Sequence, residues 1–159
     1  MRFPKPIRLP AEVYSNRELR FHVTINAHPE VPRWSPALGN RLWSLVMDER
    51  ALDRVELFAA CLMPDHLHLL IRPDEVDMIR FVNSWKSLTT RESWRFGWRG
   101  ALWQPGIWDR TIRDPEDFDS TVRYIVENPV DAALVDTPES WPWTWAYYWE
   151  DEVDRYQLV

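Results

Sequence analysis

Two of the chain's four histidines, His66 and His68, flank a single leucine in the stretch Cys61-Leu62-Met63-Pro64-Asp65-His66-Leu67-His68-Leu69-Leu70-Ile71-Arg72. The residues around them read as buried strand. Successive side chains of a strand point to opposite faces, so His66 and His68 share one face while Leu67 and Leu69 share the other. Two imidazoles side by side can each offer a nitrogen lone pair to one divalent metal. A pair of satisfied structural histidines fits the same spacing, so the motif alone leaves both readings open.

Further along, Tyr124 and Asn128 stand four residues apart in a helical pattern, which puts them on one face of a helix. Each has an ordinary reading: a core tyrosine, and an asparagine ending a helix before Pro129. Taken with His66 and His68, a specific chemistry becomes available. Two imidazoles and a side-chain oxygen can hold a hard divalent ion with positions left for phosphate oxygens. Such an ion polarises a scissile phosphate and steadies the leaving 3′ oxygen. Tyr124 would then be the nucleophile and form a covalent phosphotyrosine. The covalent link conserves the energy of the phosphodiester for rejoining.

These residues need elements to position them. Residues 1–18 are proline-rich and charged, and read as an arm. Residues 19–27 alternate with β-branched and aromatic side chains, a first strand with Phe21, Val23 and Ile25 on one face. His22 then falls on the polar face, exposed or hydrogen-bonded rather than a ligand. Ser35 before Pro36 is an N-cap signal, and Leu38, Leu42, Leu45 and Val46 extend a helix over about 36–51. Residues 55–63 and 66–72 form two antiparallel strands about a turn at Met63-Pro64-Asp65. A second helix spans about 75–95, with Met78, Phe81, Val82, Trp85 and Leu88 as its apolar stripe. A short strand follows at about 107–112. A third helix starts at Asp114-Pro115 and is expected to stop near Glu127 or Asn128, before Pro129. Strand, helix, strand, strand, helix, strand and a further helix make an α+β chain, the ferredoxin-like split βαβ pattern with an antiparallel sheet and an added C-terminal helix.

Composition bounds the rest. A chain of 159 residues is most simply one domain, 1–159, with an acidic tail at 147–159. The single cysteine excludes a disulfide framework and fits a reducing cytoplasm. No apolar run reaches the roughly 18 residues of a membrane span, and no signal-peptide pattern follows Met1. The net charge of −6 resides in residues 131–159, which leaves residues 1–130 neutral. Within the neutral part Arg80, Lys86, Arg91, Arg95 and Arg99 form a basic element suited to phosphate contacts, or equally to a solvated helix face. The eleven tryptophans include an aromatic run at 141–149, expected to pack back on the body and able to stack on nucleobases.

The ordered motifs resemble those of the single-tyrosine HUH transposases, and more narrowly of the REP-associated tyrosine transposases. The likeness rests on Met63-Pro64-Asp65-His66-Leu67-His68, Trp103-Gln104, Ile112-Arg113-Asp114 with Glu116-Asp117, Tyr124 to Val130, Leu134-Val135 and Trp141-Pro142-Trp143, and covers about residues 19–146. It implies a metal-dependent DNA transposase or endonuclease acting on single-stranded or hairpin DNA. It further implies His66 and His68 as metal ligands, Tyr124 as the nucleophile giving a 5′-phosphotyrosine and a free 3′-OH, Asn128 as a third ligand, and Mg2+ or Mn2+ as the ion. Members act as monomers or homodimers, and no membrane is involved. The chain departs from the pattern at residues 26–30, usually glycine- and arginine-rich, at Asp131, often lysine, and at Ala133, usually glycine. It is also acidic where relatives tend to be basic. A domesticated, catalytically silent hairpin-binding protein is the alternative these departures suggest, and a metal-dependent hydrolase of small phosphoesters is a more distant one.

Overall fold

The computed structural model describes residues 8–51 and 54–149, the side chains of 49–51 excepted. Its elements are α1 (Ala11–Tyr14), β1 (Phe21–Asn26), α2 (Pro36–Ala51), β2 (Val55–Leu62), β3 (His66–Pro73), α3 (Met78–Trp94), β4 (Trp108–Thr111), α4 (Pro115–Asp131) and β5 (Thr144–Ala146). The strands form one sheet in the order β4-β1-β3-β2-β5, every neighbouring pair antiparallel. β1 and β2 therefore run parallel with β3 between them, joined by α2, and β3 and β4 run parallel with β1 between them, joined by α3. This is the split βαβ arrangement expected from the order of elements.

Each face of the sheet builds its own core. Phe21, Val23, Ile25, Leu67, Leu69 and Ile71 pack beneath α2 and α3, against Leu38, Leu42, Met78, Phe81, Val82 and Trp85. Phe58, Ala59, Cys61 and Leu70 pack on the other face beneath α4, against Val122, Ile125 and Val126. A bulge between Leu57 and Ala59 shifts the alternation of β2 by one residue. It places Phe58 and Ala59 together under α4, then resumes the alternation with Ala60 and Leu62 on the α2/α3 side.

Several boundaries differ from those the sequence suggests. The part of the arm that the structure describes is joined to the core: Tyr14 on α1 is buried and stacks at 5.8 Å on Phe21, while its hydroxyl accepts the Leu9 backbone N–H. Residues 1–7 lie outside the described residues. α3 begins at Met78 rather than 75, because the Asp77 carboxylate accepts from the Arg80 N–H and acts as the N-cap. Its buried stripe ends on Thr89 and Ser93, with Leu88 only half-buried.

α4 runs through Pro129 to Asp131 instead of stopping before it. Proline removes one N–H from the ladder, but the end of the helix is closed by a Schellman arrangement. The Leu134 N–H donates to the Pro129 carbonyl and the Ala133 N–H to the Val130 carbonyl, both at 2.9 Å. Ala133 adopts φ 57° to make this turn, the left-handed conformation that glycine takes without a Cβ penalty. The usual glycine at this position in the resembled family thus has a backbone reason.

The aromatic run folds back as expected, and it also supplies an edge strand that its composition did not reveal. β5 pairs with β2 through Ala59, Ala60 and Cys61. Two indoles clasp it: Trp141 donates to the Leu62 carbonyl at 2.9 Å and Trp143 to Asn40 Oδ1 at 2.9 Å. Trp143 lies so close over Gly39 that a Cβ there would come within 2.2 Å of its ring. Of the acidic tail, Tyr147 is tied to the Phe58 carbonyl by its N–H, and residues 150–159 fall outside the described residues.

Candidate active site

The pairing of β1 with β3 assembles the polar face of the sheet. Asn26 stands opposite His66, Thr24 opposite His68 and His22 opposite Leu70. His22, Thr24, His66 and His68 therefore project from the same face, the one that α4 covers. His66 and His68 approach through their Nε2 atoms at 3.1 Å. On its far side, His68 Nδ1 meets His22 Nε2 at 3.0 Å and Thr24 Oγ1 at 3.2 Å. His66 Nδ1 meets Asp65 Oδ1 at 2.7 Å. The result is a continuous line of imidazoles, His22 to His68 to His66, ending on a carboxylate.

Burial controls the charge of this line. His68 is only 4 % exposed, and desolvation, then the neighbouring His66 and His22, hold its pKa down at about 3. Desolvation and the Arg110 guanidinium lower that of His22 to about 4, against a weaker opposing pull from Asp117. Both rings are neutral near pH 7 and keep a nitrogen lone pair.

Helix α4 is docked over this face by its first two turns. Asp114 caps it by accepting the Asp117 N–H at 2.8 Å, with Pro115 in the first turn. Asp117 in turn binds Arg110 on β4, and Arg110 reaches on to Thr121 Oγ1 at 2.8 Å. Because β4 pairs with β1 so that Arg110 stands opposite His22, this clamp fixes the helix beside the histidines. Val122, Ile125 and Val126 bury the inner side of α4. Tyr124 is left at the rim, with its ring centroid 5.4 Å from His68 and 5.8 Å from His22. It is 50 % exposed, so the side chain is accessible to a large substrate. Asn128, half-buried, follows one turn later on the same side of the helix.

The donor set fits a hard divalent ion as part of a shared coordination sphere. Two nitrogens on adjacent positions of an octahedral ion, each about 2.1 Å away, lie about 3.0 Å apart, close to the observed separation of the two Nε2 atoms. Each ring has its other nitrogen engaged by a neighbour, as metal-binding histidines do. Among the described residues no three His, Cys, Asp or Glu side chains group closely enough to hold an ion by themselves. The remaining positions would fall to an amide such as Asn128 and to oxygens of water or phosphate.

The sequence-derived site residues thus divide. His66, His68 and Tyr124 come together, with Asn128 on the same helix face as Tyr124. The basic residues lie elsewhere: α3 packs on the opposite face of the sheet, so Arg80, Arg91, Arg95 and Arg99 are exposed on the layer away from the histidines. Lys86 turns inward, where its ammonium donates at 2.8 Å to the carbonyls of both Gln104 and Gly106. Burial lowers its pKa, assisted by the nearby charge of Arg8. Reading the sequence did not single out Thr24, Arg110 or the contact between His22 and His68. Their parity on the first strand and the short strand was visible, but the register that aligns them was not.

Comparison with known proteins identifies a family and a shared fold. The profile of the family described as "Transposase IS200 like" matches residues 15–128. A protein of Haemophilus influenzae assigned as a REP-associated tyrosine transposase is 30% identical over 104 residues, covering 56% of this chain and 57% of its own. The REP-associated tyrosine transposase of Escherichia coli K12 is 29% identical over 89 residues, covering 56% and 53%. The chain therefore spans little more than half the length of these relatives. A solved structure of a REP-associated tyrosine transposase bound to a REP hairpin superposes with a TM-score of 0.74 at 21% identity, over 96% of this chain and 87% of that one, and so shares the fold. Among the described residues no helix is long and apolar enough to cross a membrane.

Proposed function

The chain belongs to the IS200-like transposase family, and on that premise we propose that it cuts and rejoins one strand of hairpin-bearing DNA through Tyr124. The observation that carries the reading is the approach of an exposed tyrosine to within 5.4 Å, ring to ring, of His68, the buried member of the histidine pair. Tyr124 Oη attacks the scissile phosphorus. The Oη–P bond forms as the P–O3′ bond breaks, leaving a free 3′-OH and DNA joined to the enzyme as a 5′-phosphotyrosine. Attack by another 3′-OH reverses the exchange, reseals the strand and returns the phenol.

His66 and His68, with Asn128 as a third ligand, would hold Mg2+ or Mn2+. The bound ion would supply charge stabilisation for the phosphate and its leaving oxygen. The rest falls to the protein. α4 presents the phenol at an open rim, and the β1–β3 pairing holds the imidazoles side by side before substrate arrives. The hairpin-bound structural neighbour supports DNA hairpins as the substrate class. Arg80, Arg91, Arg95 and Arg99 would meet phosphates of a duplex that wraps around the sheet edge, since they occupy the other layer.

The test uses labelled hairpin DNA with a single-stranded flank, incubated with Mg2+ or Mn2+ and resolved on a denaturing protein gel. Wild type should yield a shifted DNA–protein adduct and a free 3′-OH fragment, and Tyr124→Phe neither. A wild-type protein that binds the hairpin but gives no adduct would be the silent binding protein instead. Hydrolysis of a small phosphodiester unaffected by Tyr124→Phe would mark a hydrolase.

A further inference from the structure

His22 plays no part in the chemistry above, yet it is the residue on which the histidine line begins. For His68 to offer the Nε2 lone pair toward His66, its single ring proton must sit on Nδ1. A proton on Nδ1 needs an acceptor, because burial denies it water. Two lie within reach: His22 Nε2 at 3.0 Å and Thr24 Oγ1 at 3.2 Å. Both come from β1, on the same face, and among the described residues no carboxylate bonds His68 as Asp65 bonds His66. The His22 ring also lies 5.1 Å from the His68 ring and edge-on to Tyr124 at 5.8 Å, so it touches both ligand and nucleophile.

We propose that His22 is a positioning residue: by accepting the Nδ1 proton of His68, it sets the tautomer and ring angle that aim His68 Nε2 at the metal. The inference rests on the metal reading of His66 and His68 and assigns a partner to the more deeply buried of the two. To accept at Nε2, His22 carries its own proton on Nδ1. Thr24 is the longer, secondary acceptor. Groups behind a ligating histidine of this kind commonly govern metal affinity by about 10- to 100-fold.

The test measures Mn2+ binding by titration calorimetry on the full chain without DNA, so that cleavage is not the readout. His22→Gln keeps an amide oxygen able to accept the proton, whereas His22→Leu has similar bulk and no acceptor. His22→Leu should bind Mn2+ at least about tenfold more weakly than wild type, and His22→Gln within a few-fold of it. Equal affinity in wild type and His22→Leu, or equal weakness in His22→Gln and His22→Leu, overturns the inference. His66→Ala separates the levels. If it loses Mn2+ while His22→Leu does not, only the role of His22 falls. If it binds Mn2+ fully, the metal reading beneath it falls.

A second measurement needs no variant and guards against misfolding of His22→Leu. Long-range proton–nitrogen spectra of the wild-type protein loaded with Mg2+ report the tautomer of each ring. His68 protonated on Nδ1 supports the assignment, and His68 protonated on Nε2 overturns it.

Discussion

Arg110 on β4 grips Asp117 on α4 with one nitrogen, its Nη1 lying 2.9 Å and 2.8 Å from the two carboxylate oxygens. The same carboxylate accepts the Arg113 backbone N–H at 2.8 Å. This is the contact that ties the edge of the sheet to the helix carrying Tyr124. Arg110, and then the Arg113 N–H, hold the Asp117 carboxyl at about 2, well below the ordinary carboxylate range. A carboxyl with a depressed folded-state pKa stabilises the protein above the unfolded value of about 4, and that contribution disappears as pH falls through 2.

Arg110→Ala should therefore reduce adduct formation by Tyr124 more than it reduces hairpin binding, because it loosens the helix without touching the nucleophile. Thermal unfolding should show a lower midpoint at pH 7, with the gap to wild type shrinking toward pH 2. An unchanged cleavage rate would mean that the apolar underside of α4 positions Tyr124 unaided.

Acid should act on the histidine line at milder pH. His22 and His68 have folded-state values of about 4 and about 3, below the unfolded 6.5. The unfolded chain takes up protons first, so their contribution is complete above pH 6.5 and is lost progressively between pH 6.5 and 3. For the protein in chelator, unfolding free energy should fall by about 1 kcal/mol or more per pH unit below 6. Replacing both rings with leucine should flatten that slope in chemical denaturation measured from pH 7 to pH 4.5.

Ala133 invites a stabilising change. Its φ of 57° costs an alanine roughly 1 kcal/mol that glycine does not pay, and the residue is exposed. Ala133→Gly should raise stability by about that amount in denaturant unfolding. Loss of stability would indicate that the added freedom of the unfolded chain outweighs the relief.

The basic residues of α3 should separate by role. Lys86→Met strands the Gln104 and Gly106 carbonyls, so it should lower stability by about 1–3 kcal/mol and leave the salt dependence of hairpin affinity unchanged. Arg91→Ala should leave stability nearly untouched. It should weaken hairpin binding and reduce the slope of log affinity against log salt by about 1, if the arginine meets a phosphate. Filter-binding or fluorescence titrations at several salt concentrations distinguish the two.

Much of this protein was written in local pattern. Alternation around Phe21, Val23 and Ile25, the capping signal at Ser35 and Pro36, and the order of strands and helices follow from short-range steric and hydrophobic rules, and they suffice for the split βαβ arrangement. His66 and His68 share a face by strand parity alone, as Tyr124 and Asn128 share one by helical period.

Parity does not say what stands opposite. The partner of His68 depends on how β1 slides against β3, and one residue of slip would have sent His22 and Thr24 to the far face. The bulge at Phe58 and Ala59 breaks the period of β2, which no reading of alternation anticipates. α4 outlasted Pro129 because its end is closed by carbonyl contacts beyond the proline, and β5 formed because an edge of β2 was open to it. The face on which α4 rests, and so the meeting of Tyr124 with the histidines, was decided by long-range packing and by the reach of Arg110 to Asp117. The strands and helices are local; the site exists only where they pack together.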